Sequence, residues 1–347
     1  MGRVLEIRSS PHVGSGHSVE TIMLHVVLAL VPVSAWAVYA FGLAALATLA
    51  TAVGSCVLFE HLLTRRRGRS AIGDWSAVIT GLLLGLTLPP GLPVWMTVVG
   101  SAIAMGIGKH LFGGLGYNVL NPALVGRAVL QAAFPVPMTT WFDGFSPARF
   151  SALPASTLTP PLLAPTDAAV STGAVDAVSG ATPLAAWKFD GAVADTADLW
   201  GGFTSGSTGE TAAGLIVLGG LYLVARNFMN WRIPASILVT VAAASALLHA
   251  VDASYPSAVF MLGAGGLMLG AVFMASDMVG SPMTNLGCAV YGVLIGALIV
   301  VIRLWGGMPE GVMYAILLGN AATPHIDALI QPRVYGTGRR AARGGAS

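Results

Sequence analysis

Hydrophobic residues run through most of this chain in long continuous stretches, separated by short polar or glycine-containing breaks. A bilayer core about 30 Å thick takes about 20 apolar residues per helix. On that measure the pattern predicts ten helical spans, over 22–41, 43–63, 71–88, 93–112, 118–134, 212–228, 233–251, 258–276, 286–303 and 311–329. The runs are continuous rather than alternating, which argues against sheet. Several contain Gly or Pro, which membrane helices tolerate better than soluble ones. The expectation is an all-α polytopic membrane protein, with residues 1–347 as a single integral membrane domain.

One segment breaks the pattern. Residues 135–210 are rich in Pro, Ser, Thr, Gly and Asp, and stretches such as "DGFSP" and "GGFTSGSTGE" read as turns. A loop this long inside a compact protein is usually functional or disordered. It follows the fifth span, so it lies on the opposite side of the membrane from the N-terminus. Basic residues set the orientation. Arg3 and Arg8, the group Arg65, Arg66, Arg67 and Arg69, the pair Arg226 and Arg232, and the tail Arg333, Arg339, Arg340 and Arg343 all fall on one side. The other keeps Arg149, Lys188 and Arg303. This places both termini in the cytoplasm and makes 135–210 an extracytoplasmic loop.

Composition sharpens the reading. Of 347 residues, 55% are hydrophobic and 9% charged, against about 25% charged in soluble domains. Only a lipid bilayer can solvate most of such a surface. The net charge of +2 gives no footprint for nucleic acid. Cys56 and Cys288 sit in apolar runs. Two thiols are too few for an iron–sulfur cluster, which needs about four, and both read as packing residues. The first twenty residues lack the apolar core of a cleavable signal. Glu6 stands where a myristoylation signal needs Ser or Thr.

A weak internal echo links "GYNVLNPALVGRAVL" in the first half with "GAGGLMLGAVFMASDMVGSPMTNLGCAVYG" in the second. Five helices per half would give the halves opposite orientation. The echo therefore admits an inverted repeat of two five-helix halves, as in transporters.

Within the polar segment, "DAVSGATPL" carries candidate chemistry. Pro183 disfavours helix at Thr182 and favours extended backbone. Gly180 and Ala181 leave room for a modifying enzyme. Asp176 and Ser179 can bond the local backbone and fix a turn. The bland alternative is an ordinary Ser/Gly/Thr turn. The run resembles the flavinylation signal of membrane redox pumps, in which the last Thr carries FMN through a phosphoester bond. That chemistry asks for an exposed hydroxyl on an accessible backbone. Ala177 stands where the signal commonly has Gly.

The chain as a whole resembles the D subunits of the Rnf ion-translocating electron transport complex, relatives of the B subunit of the sodium-pumping NADH:quinone oxidoreductase. The likeness rests on the succession of "SPH" at Ser10–His12, "IMLHVVLALVP", "FGGLGYNVLNPALVGRAVL", "DMVGSPMTNLG" and "GGMPEGVMYAILLGNAATPHID". The chain begins close to "SPH", which favours the Rnf type over the quinone reductase subunit. The resemblance implies a translocase subunit of the bacterial inner membrane, with 135–210 periplasmic. It implies covalent FMN on Thr182, with Asp176, Ser179, Gly180 and Ala181 forming its motif. It further implies a second, non-covalent flavin, riboflavin, toward the cytoplasmic side. The partners it implies are the other Rnf proteins (A, B, C, E and G) and a flavin transferase. Electrons would pass between ferredoxin and NAD, coupled to Na⁺ or H⁺ movement. A flavin-free permease or a purely structural subunit is the rival from another class.

Other polar residues have two readings each. Asn118, Asn121 and Arg127 could line a flavin or ion path, or simply cap and snorkel. Asp277, Ser281, Thr284 and Asn285 could cap a helix broken around Pro282. Lys109 and His110 are expected to snorkel at a cytoplasmic helix end, and His25 to be a buried, satisfied histidine. No His/Cys/Glu cluster has metal spacing. No P-loop, dinucleotide fingerprint or nucleophile elbow appears. No catalytic side chain or metal ligand is expected in this chain, and nicotinamide chemistry falls to a partner.

Overall fold

The computed structural model describes residues 18–65, 72–142, 144–147, 149–151, 153–161, 182–210 and 213–332. Helix appears in every one of the ten expected spans, and no β-strand is present among the described residues. The helices are α1 (Val19–Phe41), α2 (Leu43–Arg65), α3 (Ser76–Thr87) and α4 (Val94–Ile103), which runs on as a π-helical stretch, Ala104–His110. Next come α5 (Pro122–Ala133), α6 (Ala213–Ala225) and α7 (Arg232–Val251). The eighth span is in pieces: α8 (Ala258–Gly263), then α9 (Leu267–Leu269) continuing as a π-helical stretch, Gly270–Met274. Helices α10 (Asn285–Trp305) and α11 (Val312–Leu329) fill the last two expected spans, and short helical turns lie outside the ten spans, at Pro135–Thr139 and Thr196–Gly201 among others. The chain is an all-α polytopic membrane protein.

The spans are of two kinds. Val19–Phe41, Leu43–Thr64, Arg232–Val251 and Asn285–Trp305 are long and apolar enough to cross a membrane. Others are shorter than the apolar runs suggested. Helix α3 has 12 residues, or about 18 Å at 1.5 Å per residue, well short of a 30 Å core. The remaining depth is non-helical backbone packed inside the bundle, which is where lipid-spanning proteins can accommodate it.

The two halves share one packing order. In the first, α2 packs on α3 and α4, and α4 on α5; in the second, α7 packs on α8 and α10, and α10 on α11. A repeat of two five-helix units requires this correspondence. The closest pairs use small residues. A Cβ at Gly292 would lie 2.6 Å from Ser236 Cβ, and one at Gly296 would lie 2.7 Å from Thr240 Cβ. In the first half, Gly81 of α3 approaches the backbone of Val53 in α2, where a Cβ would fall 2.6 Å from its Cα. Lipid gives helices no hydrophobic drive to associate, so close backbone packing at Gly-x-x-x-Gly spacing supplies the attraction.

The break in the eighth span centres on Gly265. Gly265 has φ +67°, and a Cβ there would sit 2.8 Å from Leu184 Cδ1 and 3.2 Å from Arg303 Nη2. Only glycine suits that combination. The carbonyls released by the break are satisfied by Arg303, which donates to Met261 O at 2.7 Å and Ala264 O at 2.9 Å.

Candidate functional site

Thr182 lies within the polar segment, at the start of the described stretch 182–210. Its backbone is extended (φ −63°, ψ 152°), as the following proline predicts. Its hydroxyl oxygen accepts from Ala185 N at 3.2 Å and so caps the turn Pro183–Ala185. The turn continues as a π-helical stretch to Asp190 and ends at Gly191 in the left-handed region (φ +68°). Two residues bind this stretch to the second half. Leu184 is buried against Gly265. Lys188 Nζ donates to the carbonyls of Arg303 at 2.8 Å, Gly306 at 2.5 Å and Met308 at 3.3 Å, all at the end of α10. A cation over the carbonyl end of a helix is favoured by the helix dipole. Burial pushes the Lys188 pKa below its ordinary value.

The sequence reading has Thr182 accessible; in the structure it is only 1% exposed. It lies on the wall of a cavity of about 530 Å³. Asp176, Ser179, Gly180 and Ala181 lie outside the described residues, as do Ser10–His12 and the basic tail. The cavity wall is largely apolar and aromatic, with Trp141, Phe189, Met274 and Tyr314 among its residues. Arg127 and Glu310 are its charged members. Arg127 Nη2 meets Glu310 Oε2 at 2.9 Å, so Arg127 is an ion-pair partner rather than a snorkelling residue. Arg127 Nε and Glu310 Oε1 are buried without a partner.

Glu210 is buried beside this wall, in the loop before α6. That loop is pinned to the end of α3 by Gly209 N→Leu86 O (2.7 Å) and Thr208 Oγ1→Leu88 O (2.6 Å). Glu210 Oε2 accepts from Ser207 N at 3.2 Å, while Oε1 has no partner. Burial, with the Glu310 charge nearby, pushes its pKa up to about 7.

A second cavity, of about 150 Å³, lies toward the opposite end of the bundle. Its residues include Met23 near the start of α1, Ser76 at the start of α3, Lys109, Asn118, Asn121 and Asp277. Asn121 Oδ1 caps α5 through Ala123 N (3.0 Å) and Leu124 N (3.3 Å), and its Nδ2 donates to Met274 O. Asn118 Nδ2 donates to Asp277 Oδ2 at 3.1 Å. Asn121 is thus a helix cap, Asn118 is bonded to Asp277, and both line this cavity. Thr284 is the cap of α10, accepting from Gly287 N at 3.0 Å. The two cavities nearly touch. Ala123 lines one and its neighbour Leu124 the other, and the same is true of Phe273 and Met274.

Two expectations need correcting. Lys109 does not snorkel: it is 2% exposed, with Nζ 2.8 Å from Glu60 Oε2 and 2.7 Å from Ser76 Oγ. His110 Nε2 also meets Glu60 Oε2, at 3.0 Å. The π-helical stretch turns these residues inward to an acid on α2. His25 is half-buried rather than buried, and is bonded to Tyr222 OH at 2.5 Å. Glu60, Glu210 and Glu310 had no role in the sequence reading. Their signal was a lone acid at the end of an apolar run or beside a glycine turn. Cys56 and Cys288 are buried free thiols, as packing residues would be.

Comparison with known proteins gives the family of the chain. The chain is 40% identical over 348 residues to the D subunit of the proton-translocating ferredoxin:NAD(+) oxidoreductase complex of Clostridium ljungdahlii, covering 97% of each chain. It is 41% identical over 337 residues to the D subunit of the Na(+)-translocating ferredoxin:NAD(+) oxidoreductase complex of Acetobacterium woodii, covering 96% of this chain and 95% of the other. To the D subunit of the ion-translocating oxidoreductase complex of Stutzerimonas stutzeri it is 43% identical over 344 residues, covering 93% and 94%. The match to a family spans residues 6–336. With that match and relatives similar along nearly their whole lengths, the chain belongs to the NQR2, RnfD, RnfE family.

Proposed function

We propose that this chain is the flavin-bearing membrane subunit of an Rnf-type ion-translocating oxidoreductase complex, with FMN joined by a phosphoester bond to Thr182. The observation that carries the reading is that Thr182, the last residue of the flavinylation-like motif, lies on the wall of the 530 Å³ cavity. Cofactor pockets are usually about 300–1,000 Å³, apolar, with a few placed polar groups. Trp141, Phe189 and Tyr314 offer aromatic surface for a flat ring. The unpartnered Arg127 Nε and Glu310 Oε1 offer polar partners. These residues fit the group.

When bound, FMN supplies the electron-transfer chemistry, and the protein sets its position and electronics. Arg127 holds positive charge at the cavity wall. Lys188 and Leu184 fix the attachment stretch against the end of α10 and the break at Gly265. The Thr182 oxygen would remain an acceptor for Ala185 N after esterification, so the cap survives modification. Because Thr182 is buried, a flavin transferase must act before the 182–190 stretch docks, or when it undocks.

The second cavity is the place we propose for the non-covalent riboflavin. At about 150 Å³ it must widen to take one. Electrons would pass between ferredoxin and NAD through the A, B, C, E and G partner proteins of the complex, in the bacterial inner membrane. The topology proposed has cytoplasmic termini and a periplasmic 135–210 segment. One relative is named proton-translocating and another Na(+)-translocating, at 40% and 41% identity, so the coupling ion is left as Na⁺ or H⁺. The quinone reductase subunit is the alternative within the redox class; the relatives' names favour the Rnf reading.

The test is intact mass and in-gel flavin fluorescence of the chain co-expressed with a flavin transferase, as wild type and Thr182→Ala. An FMN-phosphoryl increment on wild type, absent from the variant, is the expected result. An unmodified wild-type chain, with the transferase active on a control substrate, would return the motif to an ordinary turn and leave a flavin-free permease in the lead.

A further inference from the structure

Four charged side chains gather beside the first cavity: Arg127 from α5, Glu210 from the loop before α6, Arg303 from α10 and Glu310 from the turn before α11. Arg127 and Glu310 are committed to each other at 2.9 Å. Arg303 directs both Nη atoms to the carbonyls of the broken helix. Among the described residues, neither arginine is in ion-pair contact with Glu210. Its Oε1 is left without a hydrogen-bond partner, and Ser207, whose N–H donates to Oε2, lines the cavity. Gly266, also on the cavity wall, stands next to Glu210: a Cβ there would sit 3.4 Å from Oε1.

We infer that Glu210 is the group that balances negative charge arriving in the first cavity, by taking up a proton. The step is –CO₂⁻ + H⁺ → –CO₂H, one proton for one electron delivered by a one-electron carrier in a partner protein. The inference rests on the flavin reading. With Glu210 ionised the four charges sum to zero; with Glu210 protonated they sum to +1. An added negative charge is costly in a buried site, and protonation both removes a like charge and leaves a net positive one to meet it. Arg127, Glu310 and Arg303 face Glu210 from the elements around it, and Tyr314 lines the cavity from α11. Burial and Glu310 already bring Glu210 near neutrality, so both of its forms are reachable at ordinary pH.

The experiment uses the assembled complex, as wild type, Glu210→Gln, Glu210→Asp and Gly266→Ala, with in-gel fluorescence reporting flavin loading. Proton uptake on chemical reduction is read with a pH indicator, beside the pH dependence of the flavin midpoint potential. In parallel, the unloaded Thr182→Val complex, with and without Glu210→Gln, is titrated by infrared spectroscopy of carboxyl groups. Wild type should take up one proton more than Glu210→Gln and have a potential that varies more steeply with pH. Glu210→Asp should restore the uptake, and Gly266→Ala, which sets a methyl group 3.4 Å from Oε1, should weaken it. The unloaded complex should lose one carboxyl titrating near neutral pH when Glu210 is replaced. Equal uptake and equal slopes in wild type and Glu210→Gln, with the flavin band present in both, would overturn this inference alone. A wild-type chain without the band would overturn the flavin reading and this inference with it.

Discussion

Arg127 Nη2 lies 2.9 Å from Glu310 Oε2 although the two are 183 residues apart, one in each half of the chain. The pair ties α5 to the turn before α11 across the first cavity. Removing one partner of a buried pair typically costs about 3–5 kcal/mol, because the other charge is stranded. These side chains keep 10% and 17% exposure, so the lower end applies. Arg127→Met should lower stability by about 3 kcal/mol, read as a drop in melting temperature of the purified complex. The double variant Arg127→Met/Glu310→Leu should recover much of the loss. A double variant no better than the sum of the singles would remove the direct coupling.

Gly265 should tolerate no side chain. Its left-handed φ alone costs a non-glycine residue about 1–2 kcal/mol, and the methyl group would press on Leu184 and Arg303. Gly265→Ala should loosen the 182–190 stretch, seen as faster limited proteolysis near Lys188. Gly54 on α2, with nothing near its missing Cβ, is the control, and Gly54→Ala should be cleaved like wild type.

Glu210 makes stability depend on pH with a definite sign. Its folded pKa is raised from 4.5 to about 7. Between those values the folded chain keeps a proton that the unfolded chain has lost. Stability is therefore greatest below the unfolded value and declines as pH rises toward 7. A shift of this size is worth about 3 kcal/mol at most, at 1.36 kcal/mol per unit. Melting temperatures measured from pH 5 to 8 should fall more steeply for wild type than for Glu210→Gln. Parallel curves would assign the pH dependence to other groups.

Lys109 neutralises Glu60 inside the bundle. Lys109→Met strands that carboxylate and should cost about 3–5 kcal/mol, while Glu60→Gln in the same chain should restore part of it. Thermal unfolding of the single and double variants decides this. A Lys109→Met chain as stable as wild type would mean that His110 suffices as the partner.

Much of the fold was legible because a bilayer imposes one length scale on every span. The runs containing Leu30, Ile237 and Ile299 were each found as helix, and all three residues are buried. What could not be read was depth. The eighth span looked continuous, and the break at Gly265 depends on Leu184, a residue 81 positions earlier in a different part of the fold. Buried charge was equally opaque. Lys109 reads as a snorkelling helix end until Glu60, 49 residues away, is placed beside it. The motif ending at Thr182 stood out through its resemblance to a flavinylation signal; local chemistry gave the extended backbone before Pro183, which the structure shows. The burial of Thr182 could not be read, because the partners of that stretch, Gly265 and the carbonyls of Arg303, Gly306 and Met308, come from the far half.

The thin layer between the cavities, with Ala123 beside Leu124 and Phe273 beside Met274, has an electrical consequence. Where polar groups and solvent reach into both cavities, the transmembrane voltage drops across the dry layer that separates them. A charge crossing only those few side chains then works against most of the potential, about 2.3 kcal/mol for each 100 mV. On the proposed function, with a flavin in each cavity, electron passage between them should slow when vesicles carrying the complex are energised in the opposing sense, and the layer of Leu124 and Met274 would be where the membrane's stored energy is felt.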